Sequence, residues 1–125
     1  MTETVREWIT KAEGDFRTAC RELEVADFPN FDAVCFHAQQ CVEKLMKALL
    51  ITNGEIPSKT HDLLYLSDLL KPHLSEPLAP EDEIKYLTRA AVDFRYPGES
   101  ADREEAEESL RICALLREKL IKLLN

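Results

Sequence analysis

Glycine is scarce, at three residues in 125. Loops that cradle phosphate with backbone N–H groups need several glycines close together, so that class of nucleotide site is excluded. Cysteine is sparse and never closely paired: Cys20, Cys35, Cys41 and Cys113 form no C-x-x-C, and each falls within a helical pattern. They read as buried free thiols rather than zinc ligands or a disulfide framework. Long apolar runs are missing too. No stretch approaches the roughly 18–20 apolar residues that cross a bilayer, and the first ten residues lack the continuous apolar core of a secretory signal. These gaps point to a cytoplasmic protein with no membrane attachment. Positive charge is in deficit, with 16 Lys and Arg against 24 Asp and Glu and a net charge of −8. A broad electropositive nucleic-acid surface is therefore not expected, although local basic clusters remain compatible with the sum. The three histidines are dispersed, with no carboxylate at ligand spacing, so no metal site and no cofactor are expected. No G-x-S-x-G nucleophile occurs. Cys35 and His37 diverge on a helix, which argues against a Cys–His dyad.

What remains is a chain with 45% hydrophobic and 32% charged residues, a balance of folded proteins. Its length suits a single domain over 1–125. No segment alternates with period two, so no sheet is expected. Five helical segments are. The first runs from about Thr4 to Val25, with Thr4 and Glu7 at capping-box spacing, and ends before Ala26-Asp27-Phe28-Pro29-Asn30. The second covers about Phe31 to Thr52 and is closed by Asn53-Gly54. A short third spans roughly His61 to Leu70. The fourth starts near Pro80 and stops at Tyr96-Pro97-Gly98. The fifth is capped by Ser100, with acidic first turns favourable against the helix dipole. Short connections favour antiparallel neighbours. The expected fold is all-α, an up-and-down antiparallel four-helix bundle with an additional short helix.

The second helix is apolar on more than one side, from Ala33 and Val34 to Leu50 and Ile51. Such a helix needs cover all round, which suggests a subunit interface in addition to internal packing. Its polar residues are gathered: at 100° per residue, His37, Gln40, Lys44 and Lys47 fall within an arc of roughly 80°, with Gln39 and Glu43 beside it. Two readings stand together. The arc is either the solvated edge of an amphipathic helix or one wall of a groove in which imidazole and amide hydrogen-bond a ligand and lysines meet phosphate. His61 reads either as a ligand contact or as a residue holding the loop, and Asp15 as a local ion pair or an interhelical bond. Arg95 and Tyr96 suit bidentate phosphate contact and base stacking, or equally the closure of the fourth helix.

Three stretches resemble the HEPN family. Ala12-Glu13-Gly14-Asp15-Phe16-Arg17-Thr18-Ala19 is similar to its A-x-x-D-x-x-x-A opening. Cys35-Phe36-His37-Ala38-Gln39-Gln40-Cys41-Val42-Glu43-Lys44-Leu45-Met46-Lys47-Ala48-Leu49-Leu50 is similar to its AQQ…EK helix. Thr60-His61-Asp62-Leu63 with Phe94-Arg95-Tyr96-Pro97 is similar to its TH-Leu…RYP pairing. The resemblance implies a helical bundle that usually forms a homodimer. It also implies a small nucleotidyltransferase as partner, in a two-gene or toxin–antitoxin arrangement. Many relatives are metal-independent ribonucleases with an R-x(4–6)-H motif, which this chain lacks: no histidine follows His73.

The leading expectation is a non-catalytic protein that binds a nucleotide or polynucleotide, with His37, Gln40, Lys44, Lys47, His61, Arg95 and Tyr96 as candidate contacts. A ribonuclease using Arg95 with His37 or His61 is the alternative. A structural dimerisation module built on the second and fifth helices is the third reading.

Overall fold

The computed structural model describes residues 1–93 and 96–125. Five α-helices carry the fold: α1 (Glu3–Glu24), α2 (Phe31–Thr52), α3 (Leu63–Leu70), α4 (Glu81–Asp93) and α5 (Arg103–Leu124). A 3-10 turn, Lys71–His73, extends α3. No strand occurs among the described residues.

Local chemistry explains the boundaries. Asn30 caps α2 by accepting from the Ala33 N–H, and Gly54, at φ +82°, closes its far end in the left-handed region that costs glycine little. Asp62 caps α3, accepting from the Leu64 and Tyr65 N–H groups. Two expected caps are corrected. α1 is capped by Thr2, which accepts from Val5 N–H, and not by Thr4; the start at Glu3 turns Val5 fully into the core. α5 is capped by Asp102 in a reciprocal capping box with Glu105, and not by Ser100. The Ala101 N–H donates to Asp32 on α2 at 2.7 Å, which holds the preceding chain outside the helix.

The helices pack as an up-and-down bundle. Glu22 binds Asn30 N–H, Asp15 meets His37 and Lys44, and Lys47 lies over Trp8, so α1 and α2 run antiparallel. Arg111 reaches Glu83 and Lys119 reaches the Leu78 carbonyl, so α4 and α5 are antiparallel. Asp32 with Ala101, and Cys35 with Ser109, show α2 and α5 running parallel across the bundle. The cross-section is flattened, with α2 and α5 pressed together on the short diagonal and α1 and α4 kept apart.

That arrangement accounts for the composition of α2. Val34, Ala38, Cys41, Val42, Leu45, Met46, Ala48 and Leu50 are all fully buried by this chain's own helices. Each large side chain among them contributes about 1.5–3 kcal/mol on burial. Internal packing therefore suffices where the apolar character of α2 suggests a second subunit. Cys35, Cys41 and Cys113 are buried and Cys20 half-buried, all as free thiols. Contact with Cys41, then burial, pushes the Cys113 thiol well above its usual range, which keeps it protonated and inert.

Candidate functional site: a carboxylate–histidine seam

The polar arc of α2 is not a solvated edge. It divides between two carboxylates supplied by the seam with α1 and by α2 itself. On one side, Asp15 of α1 takes two residues that lie two helical turns apart along α2: His37 Nδ1 lies 2.8 Å from Oδ1 and Lys44 Nζ 2.6 Å from Oδ2. Asp15 thus makes the interhelical bond that its mid-helix position suggests. On the other side stands Glu43, which the core almost closes off. It accepts from Gln39 at 3.0 Å, His61 Nδ1 at 2.9 Å and Lys47 at 3.1 Å, with Gln40 at 3.4 Å. Burial pushes the Glu43 carboxyl up, but the bonds from Gln39, His61 and Lys47 and the nearby ammonium outweigh it, and the net displacement is downward. The carboxylate is therefore held ionised inside the fold.

The amides join the Glu43 half to the loop. Gln39 gives a second N–H to the His61 carbonyl at 3.0 Å, and Gln40 donates to the Gln39 oxygen at 2.8 Å. This fixes His61 from both ends, backbone and ring, although its side chain is 70% exposed. An ionised carboxylate only accepts, so each contacting Nδ1 carries the proton. Nε2 of both rings then has no protein partner among the described residues. Two histidines, each oriented by its own carboxylate, face outward from an otherwise internal network.

The structure gathers His37, Gln40, Lys44, Lys47 and His61 into this one seam. Their roles differ. Lys47 is buried, with its ammonium between Glu43 and the Trp8 ring, and belongs to the core. Lys44 is largely covered and committed to Asp15. His37, Gln40 and His61 retain access to solvent. Tyr96 is 67% exposed beyond the end of α4 and its ring has no partner in the seam among the described residues. Arg95 lies outside the described residues, as does Phe94. By helical period alone Glu43 falls beside the arc. Its neighbours Val42, Leu45 and Met46 are the signal that it would be buried and need donors. Among the described residues no three His, Cys, Asp or Glu side chains are grouped to hold a metal ion, and no helix is long and apolar enough to cross a membrane.

Fold and seam together define an all-helical bundle with histidines braced by carboxylates on its second helix and the loop beside it. The model of the HEPN domain matches residues 5–124, and the chain belongs to the HEPN domain family. Among solved structures, TT1696 from Thermus thermophilus is similar over 98% of this chain and 100% of its own, at 28% identity and a TM-score of 0.75. ST0689, described as an archaeal HEPN homologue, is similar over the whole of both chains at 24% identity and a TM-score of 0.70. No curated protein matches the chain.

Proposed function

We propose that this HEPN protein binds a nucleotide or polynucleotide without cleaving it. In this reading it acts as the partner of a small nucleotidyltransferase, in a paired, toxin–antitoxin-type arrangement. The observation that carries the reading is the outward edge of the seam, where His37, Gln40 and His61 present fixed hydrogen-bonding groups beside Lys44. With neutral imidazoles, Asp15 and Glu43 balance Lys44 and Lys47. Protonation of either ring makes the seam cationic, the state a phosphate favours. The missing R-x(4–6)-H motif supports binding over cleavage. A homodimer is part of the proposal, and rests on Leu115 and Leu123, two exposed leucines of α5.

A second reading is favoured by one feature: a histidine oriented through Nδ1 by a carboxylate is also the geometry of a general acid or base. One experiment separates the two. Titration calorimetry with AMP, ATP and a single-stranded RNA should show binding that His37→Ala with His61→Ala weakens at least ~tenfold, about 1.4 kcal/mol. The RNA recovered from the calorimeter, with chelator present, should be intact. Shortened RNA would replace the binding reading with a ribonuclease. Absence of heat with every ligand would remove it. Sedimentation of the same samples at the monomer mass would remove the dimer.

A further inference from the structure

A second group of cations lies apart from the seam. Lys85 and Arg89 stand one turn apart on α4, and both line a groove of about 350 Å³ between α3 and α4. That size lies within the range of small-ligand sites. Its other walls are Asp62, Leu64, Thr88, Val92 and Asp93. In a chain with an excess of acid, neither cation is paired with a carboxylate among the described residues. The nearest carboxylates in sequence are used elsewhere or stay apart: Glu81 goes to Lys71 at 3.8 Å and Glu83 to Arg111 at 2.9 Å, while Asp82 and Asp93, each one turn from a cation, make no ion pair among the described residues. Like charges at this spacing repel; of the two carboxylates that share the lining, Asp62 is committed to the α3 cap and Asp93 pairs with neither cation, which leaves both open to an anion.

The rest of the groove narrows what that anion is. The α3 N-terminus is not available to it. Leu63 N–H donates to Thr88 Oγ1 at 3.2 Å, Leu64 and Tyr65 N–H groups donate to the Asp62 side chain, and Leu66 N–H donates to the Asp62 carbonyl. The cationic side chains must therefore do the binding. Leu64 and the half-exposed Val92 supply the apolar part of the lining. Asp62, the residue after His61, also lines the groove.

We infer that the α3–α4 groove is a nucleoside-monophosphate subsite, with Lys85 and Arg89 holding the phosphate and Leu64 and Val92 covering the base. This rests on the nucleotide-binding reading above and locates the phosphate away from the buried Lys47. The same unit is presented by free AMP and by a single-stranded RNA, and the test separates these sources.

The experiment is calorimetry of AMP, adenosine and a single-stranded RNA against the wild-type chain and Lys85→Gln/Arg89→Gln. Both residues are exposed, so the fold should persist, as circular dichroism will show; Arg89→Lys, which keeps the charge, serves as a second variant. At least one phosphate-bearing ligand should bind the double variant about tenfold or more weakly than wild type, with adenosine changed less and Arg89→Lys intermediate. Loss confined to AMP identifies the free nucleotide, and loss confined to RNA identifies the strand. If wild type binds and the double variant binds equally well, the subsite is wrong while the seam remains. If wild type binds neither AMP nor RNA, both fall.

Discussion

Glu43 decides the character of the seam. It is a buried carboxylate whose donors come from its own helix and from the loop before α3. Removing its charge leaves Lys47 buried without a counter-ion, a loss of about 3–5 kcal/mol for broken buried pairs. Glu43→Gln should fall near the lower end, since the amide oxygen still accepts one bond. The pH dependence has a definite sign. The folded carboxyl titrates below its ordinary value of 4.5, so the unfolded chain binds this proton more readily. The stabilisation is fully present above that ordinary value and is lost as pH falls through the folded one. Urea unfolding at about pH 7 and about pH 3 should show the gap between wild type and Glu43→Gln narrowing in acid. An equal gap at both would show that the carboxylate is not held ionised by its neighbours.

At the scale of elements, the helices were legible because their period is local, and their starts were less so because capping depends on tertiary contacts. Ser100 and Asp102 are both good caps by residue type. Asp102 is the one used, since it has Glu105 three residues on and since Ala101 is tied to α2. Asp102→Ala should lower stability by about 1 kcal/mol, whereas Ser100→Ala should stay within ~0.5 kcal/mol. Thermal unfolding of the two variants measures this, and a larger effect for Ser100→Ala would put the helix start in the wrong place. Thr4 was misleading for a similar reason. Its spacing to Glu7 is right, but Val5 reaches the core only if the helix begins earlier, under Thr2.

For the whole molecule, fold class and the order of helices followed from periodicity, and the three HEPN-like stretches agreed with them. The flattened cross-section did not follow. Nothing in the spacing of apolar residues says that α5 will lie along α2, so the apolar surplus of α2 suggested a second subunit when α5 supplies the cover. The polar arc was legible as a set, but its two anchors were not. Asp15 is 22 residues from His37, and Glu43 is 18 from His61; such pairings are fixed by packing. Lys85 and Arg89 carried only a weak signal, two cations one turn apart on a short helix.

Because α2 touches every other helix, it has no side from which it can open alone. Its central amides, from Cys41 to Leu50, should therefore exchange with deuterium only through global unfolding, while those of α3 and the loop before it exchange through smaller openings. Early exchange in the middle of α2 would contradict this. His37 sits on that helix, so its poise is tied to the slowest motion the chain possesses, whereas His61 rides on the loop that opens sooner.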